Sequence, residues 1–160
     1  MPVYLFTYHA YGTWLPDKPK GYVRRKQGVL QADADQADTY RSQMKDAAVS
    51  FDEQMQRLLI ETAQSTASFL EIEIRLIATD TTHLHILLQW RHTRPWDKLR
   101  ASIKVKLSKL LKEQLGDRPW LSEGASRKQV TEDEHLHYLE NQYLPDHRGW
   151  KWCHKRGWFK

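Results

Sequence analysis

"ATDTTHLHILLQW", residues 78–90, carries two histidines one residue apart inside a run that otherwise reads as a β-strand. Successive side chains on a strand point to opposite faces, so His83 and His85 share one face with Leu87. Leu84, Ile86 and Leu88 share the other face and can pack on a core. The stretch before it, LEIEIRLIA (70–78), alternates in the same way, and DTT (80–82) supplies a turn. Residues 70–90 are therefore expected to form a β-hairpin with one apolar face and one face bearing imidazoles.

Working outward, VYLFTYHAYGTWL (3–15) is rich in β-branched and aromatic residues and reads as a strand, followed by the turn-rich loop PDKPKG (16–21). Residues 31–49 read as a polar helix. Ser50 and Glu53 have the spacing of a capping box, which opens a helix running to Phe69 with Met55, Leu58, Leu59, Thr62 and Thr66 near one face. On the other side of the hairpin, Trp96 to Leu115 reads as a helix ended by Gly116. Its apolar residues Leu99, Ile103, Leu107 and Leu110 recur at three or four, while Lys98, Lys104, Lys109 and Lys112 point elsewhere. A short strand is expected over Ser126 to Val130. Thr131 and Glu134 form a second capping box, opening a helix over 131–143 that Pro145 stops. The order implies an α+β domain, an antiparallel sheet with helices packed on it, and the β-α-β-β-α-β ferredoxin-like arrangement fits best.

At 160 residues the chain suits one domain with a real core. No stretch approaches the roughly 18 consecutive apolar residues of a membrane span. The opening MPVYLFTYHAYGTW lacks the basic lead and long apolar centre of a signal peptide, and the single cysteine, Cys153, excludes a disulfide framework, so a reducing cytoplasmic setting is expected. A net charge of +5 fits a polyanionic partner. After Asp146 there is no acid, while Arg148, Lys151, Lys155, Arg156 and Lys160 are interleaved with Trp150, Trp152, Trp158 and Phe159. Such a tail either contacts phosphates and stacks on bases, or docks its aromatic rings on the core with its charges solvated. On the first reading Arg148, Trp150, Lys151, Trp152, Lys155 and Arg156 join Lys104 and Lys109 as nucleic-acid contacts.

Two imidazoles on one strand face make half a metal site. The last helix can complete it. Tyr138 and Gln142 lie four apart and share a face with His135 nearby, while Leu136, Leu139 and Tyr143 lie opposite and can pack on the sheet. Imidazole nitrogens plus an amide oxygen suit Mg²⁺ or Mn²⁺; zinc fits less well, with no cysteine or carboxylate to complete a tetrahedral set. A tyrosine beside such an ion is a candidate nucleophile toward a metal-bound phosphate. Taken singly, a strand His-x-His is as often structural, and a helical Tyr–Gln pair is commonplace. Their joint occurrence is what carries information.

These residues together resemble the single-tyrosine HUH transposases, including the REP-associated tyrosine transposases. That family is named for its His, hydrophobic, His strand, here His83-Leu84-His85. The resemblance covers most of the chain in order: FTYHAYGTWLPDKPKG (6–21), THLHILL (82–88), the basic helix after it, and YLENQ (138–142) on the late helix. It implies the HUH endonuclease fold over residues 1–146, with 147–160 as a basic Trp-rich tail. It further implies a bacterial cytoplasmic enzyme, nucleoid-associated when on DNA, that cleaves and rejoins hairpin-bearing single-stranded DNA. Tyr138 would be the nucleophile, leaving a 5′-phosphotyrosine link and a free 3′-hydroxyl without ATP. His83, His85 and Gln142 would hold Mg²⁺ or Mn²⁺. Thr82 stands where relatives often carry Asn or Asp. Tyr143 is a rival nucleophile with His147 four residues later, but Pro145 is expected to break the helix between them. Some members are homodimers that share active sites and others are monomers. A domesticated relative that binds hairpin DNA or RNA without turnover is the alternative.

Overall fold

The computed structural model describes residues 1–13, 22–24, 28–30, 35 and 46–160. In chain order these form β1 (Val3–His9), a two-stranded ribbon of β2 (Tyr22–Arg24) and β3 (Gly28–Leu30), α1 (Glu53–Phe69), β4 (Ile72–Thr79), β5 (His83–Trp90), α2 (Trp96–Leu115), β6 (Ser126–Val130), α3 (Asp133–Tyr138) running on as a π-helical turn (Leu139–Tyr143), β7 (Lys151–Cys153) and β8 (Gly157–Phe159). Six strands form one sheet in the order β6-β1-β5-β4-β7-β8, each neighbour antiparallel. The four long strands thus lie fourth-first-third-second, the ferredoxin-like order, and the β7–β8 hairpin extends the β4 edge. No described helix is long and apolar enough to cross a membrane.

Register decides what each face carries. Thr7 lies opposite His85, His9 opposite His83, and Leu5 opposite Leu87, so these six side chains share a face. The other face carries Tyr4, Phe6, Tyr8, Leu84, Ile86 and Leu88, all buried with Leu59, Ile60, Leu99, Ile103 and Leu107 beneath α1 and α2. Burying each such aliphatic side chain stabilises the fold by about 1.5–3 kcal/mol. A smaller cluster on the histidine face joins Leu5, Leu76, Ala78, Leu87 and Val130 to Leu139 and Leu144. Both helical layers are therefore anchored, one on each side of the sheet.

Several expectations need correction. β1 ends at His9, short of residue 15, because Ala10 makes only an isolated bridge to Leu121 and Gly12 turns the chain with φ of 75°. Of the helix expected over 31–49, residues 46–49 are irregular, with Val49 buried and its N–H donating to the Tyr11 carbonyl. Residue 35 apart, the rest of that helix and the 16–21 loop lie outside the described residues. Asp52, not Ser50, caps α1: its carboxylate accepts from Met55 N at 2.8 Å. Thr131 caps nothing, since Glu132 holds the N-cap of α3 without a side-chain bond. In α2 Leu111 rather than Leu110 completes the buried stripe.

The largest corrections fall on the last helix and the tail. After Tyr138 the helix widens to i→i+5 bonding, seen in Leu144 N donating to the Leu139 carbonyl at 3.1 Å. The wider turn places both Leu139 and Leu144, five apart, in the core, which displaces Tyr143 from the apolar stripe. Within residues 147–160, β7 and β8 are strands of the main sheet. Lys151, expected on nucleic acid, is only 3% exposed; its ammonium donates to the carbonyls of His147 at 2.5 Å and Gly149 at 3.1 Å.

Candidate active site and metal centre

The β4–β5 turn and the end of the last helix converge at one end of the sheet. The rings of His83 and His85 lie 4.8 Å apart between centroids. His147 joins them, 5.2 Å from His83 and 4.8 Å from His85. One ligating nitrogen from each of the three lies within 4.8 Å of the others. Pro145 ends the helix as expected, yet the chain keeps curling: His147 N donates to the Leu144 carbonyl, and the third imidazole swings back over the strand.

Each ring is held from its Nδ1 side. Thr7 Oγ1 lies 2.7 Å from His85 Nδ1, and Thr82 Oγ1 lies 2.9 Å from His83 Nδ1. His147 Nδ1 lies 3.0 Å from the Tyr143 carbonyl and 3.2 Å from that of Leu144. A carbonyl only accepts, so His147 Nδ1 carries the proton and Nε2 keeps its lone pair. Such outer partners orient metal-ligating imidazoles. His85 is buried, and its pKa falls to about 2, first through burial and then through the neighbouring His83, His147 and His9. It is neutral at any ordinary pH and available as a donor. His9, across from His83 with ring centroids 6.2 Å apart, completes the imidazole-rich end of the face.

The donor set fits a divalent ion. Three imidazole nitrogens leave coordination positions open for water or phosphate oxygen, and they suit transition ions better than Mg²⁺, which favours oxygen. The objection to zinc, the lack of a fourth protein ligand, loses force, since three histidines plus an open position also make a zinc site.

Tyr143 borders this cluster, with its hydroxyl 3.5 Å from His85 Nε2 and its ring centroid 5.1 Å from that of His147. Burial, and then the neighbouring Tyr138, raise its phenol above the ordinary value. Tyr138 and Gln142 lie beside the cluster: both line an open cavity of about 340 Å³ with Tyr143, His147, Asp80, Asp146 and Arg148. Sequence reasoning paired Tyr138 with Gln142. The structure brings Tyr143 and His147, equally spaced by four, to the two strand histidines. Thr7 and His9 carried no signal by themselves; only the β1–β5 register reveals them.

The expected nucleic-acid contacts separate into distinct places. Arg148 lines the cavity beside Tyr143. Lys155 and Arg156, in the β7–β8 turn, line a second cavity of about 250 Å³ with Arg75 and Glu140, an ion pair at 2.7 Å that ties the π turn to the sheet. Trp150 is half-buried beneath the Arg57 guanidinium, 4.2 Å from its centroid, and Trp152 packs against the core. Lys104 and Lys109 belong to α2, on the layer across the sheet from the histidines. Lys104 is partly buried, which lowers its ammonium pKa, and Lys109 pairs with Glu113 at 3.9 Å.

No protein-family model matches this chain, and no curated protein does. Among solved structures, a REP-associated tyrosine transposase bound to a REP hairpin is similar at 10% identity and a TM-score of 0.49, over 86% of this chain and 61% of that one. The chain spans less than two thirds of that protein's length.

Proposed function

We propose that this chain is a metal-dependent endonuclease and strand-transfer enzyme that acts on hairpin-bearing single-stranded DNA through a 5′-phosphotyrosine intermediate, with Tyr143 as the attacking group. The observation that carries the reading is the Tyr143 hydroxyl 3.5 Å from His85 Nε2, at the edge of three converging histidines. His83, His85 and His147 would hold the ion, whose contribution is to polarise the scissile phosphate. Tyr143 Oη attacks phosphorus, the P–O3′ bond breaks, and the ester retains the energy of the broken bond for rejoining. Water takes the phenol proton, and a water molecule returns a proton to the departing 3′ oxygen, so no net proton is gained or lost. The hydrogen bond between the Thr7 hydroxyl and His85 Nδ1 keeps the ring fixed while Nε2 faces the reacting centre. Arg148, Lys155 and Arg156 offer charge to flanking phosphates. All these groups belong to one chain, so the proposal needs no tyrosine from a second subunit.

The test is incubation with hairpin oligonucleotides bearing randomised single-stranded flanks, in Mg²⁺, Mn²⁺ or chelator. A protein–DNA adduct that survives denaturation is expected with the ions, more with Mn²⁺ than Mg²⁺, and none in chelator. His85→Ala should abolish it and Tyr143→Phe should remove most of it. Undiminished adduct in chelator, or in Tyr143→Phe, would overturn the assignment.

A further inference from the structure

Between Leu144 and Trp150 no side chain enters the core. Asp146 and Arg148 are exposed, Pro145 and His147 are half-buried, and Gly149, the buried one, has no side chain. Apolar packing therefore cannot set where His147 points, and hydrogen bonds hold the segment instead. From the histidine side comes Lys151, turned there by its register with Ala78 and buried. Its ammonium donates to the carbonyls of His147 at 2.5 Å and Gly149 at 3.1 Å. From the helix side comes Gln56 of α1, 4% exposed. Its Oε1 accepts from Trp150 N at 3.0 Å, while its amide donates to the Phe51 carbonyl at 2.9 Å. Thr79, at the end of β4, joins the two. Its hydroxyl donates to the Trp150 carbonyl at 2.7 Å, and its own carbonyl accepts from Gly149 N at 2.9 Å. An apolar side chain would fill the place of Lys151 without the cost of burying an ammonium. What the ammonium adds is two bonds to the segment that carries His147.

We infer that Lys151 and Gln56 are positioning residues for the third metal ligand, clamping the His147 segment from opposite sides of the sheet. The inference rests on the endonuclease reading above and names what fixes the geometry of its metal centre. Both residues act through His147 and not on the reacting groups. His83 and His85 are fixed by a strand that is paired along both edges. His147 lies beyond the end of the last helix, so its ring reaches them only while its main chain is held. The Nδ1 contacts with the carbonyls of Tyr143 and Leu144 set the rotation of the ring. The clamp sets the backbone from which that ring hangs. Removing the clamp should leave the two strand imidazoles in place and loosen the third alone.

The test is a double-mutant cycle read by metal binding, in the absence of DNA. Co²⁺ serves as the probe, since it binds imidazole more tightly than Mn²⁺ and its visible absorption reports ligation. Lys151→Met fills the site and removes both bonds. It should weaken Co²⁺ binding about 10-fold or more, alongside a urea melt in chelator that reports folding. In a His147→Ala background, where the third ligand is already gone, the same substitution should change affinity by less than about 2-fold. Gln56→Met, from the other side of the sheet, should repeat this pattern, and it decides the matter if Lys151→Met does not fold. Lys151→Gln, which keeps an N–H donor of shorter reach, should recover part of the affinity. An equal loss with and without His147, or no loss in either, would overturn the positioning role and leave the endonuclease reading standing. A wild type that binds no Co²⁺ would overturn the metal centre, and with it both readings.

Discussion

Thr7 is buried on β1, yet its hydroxyl spends its hydrogen bond on an imidazole rather than on a neighbouring strand. Thr7→Val keeps the shape and removes the bond, so the fold should lose about 1 kcal/mol while affinity for Mn²⁺ falls about 10- to 100-fold. Calorimetric titration with Mn²⁺ checks this, and unchanged affinity would mean packing alone sets the ring. His85 also predicts an acid response. Its folded-state pKa of about 2 lies below that of the unfolded chain, so below about pH 6.5 the unfolded state binds one more proton. Stability in chelator is therefore full above that pH and falls as pH drops, with this residue contributing about 1.4 kcal/mol per pH unit. Urea melts from pH 7 to 4 should show a shallower decline in His85→Gln than in the wild type. Equal slopes would mean His85 is already charged in the folded protein.

At the level of elements, the period-two alternation of residues 83–88 and the Gly116 stop made the histidine face and the extent of α2 readable in advance. The π turn was not, because no residue type demands it. It arises where Leu139 and Leu144 both find burial against Leu76, Ala78 and Leu87, a tertiary choice that an α-helical wheel assigns wrongly. That same wheel placed Tyr143 in the core, whereas it stays 38% exposed beside the histidines. The segment after the turn is fixed by a close approach: a Cβ on Gly149 would lie 2.4 Å from the Thr79 carbonyl oxygen and 2.6 Å from Gln56 Oε1. Gln56 Oε1 in turn accepts from Trp150 N at 3.0 Å. Gly149→Ala should force this segment outward, cost about 1–3 kcal/mol and move His147 away from its partners. Adduct formation should fall further than the loss of folded protein explains. A variant that keeps wild-type activity would show that the turn tolerates the shift.

Across the whole molecule, the sheet separates two surfaces. The histidines, Tyr143 and Arg148 occupy one side, and the lysines of α2 the other. On the proposed function, a strand threading to the histidines would not pass over α2. Each of Arg148→Gln, Lys155→Gln and Arg156→Gln should flatten the log K against log salt slope by about 0.7 for a single strand, whereas Lys109→Gln should leave it unchanged. Titration of a hairpin oligonucleotide at several salt concentrations distinguishes the two sides, and the reverse pattern would put DNA on α2. The basic tail was legible as charge but not as structure, because three-residue strands are too short for periodicity to reveal. Their pairing with β4 has a further bearing on biogenesis. Trp150 and Lys151 hold the segment that presents His147, and they are among the last parts of the described fold to leave the ribosome. A nascent chain with β5 and the tyrosine helix already made still lacks its third imidazole in place. On the proposed function, the metal site would be completed only as the sheet closes on its last strands.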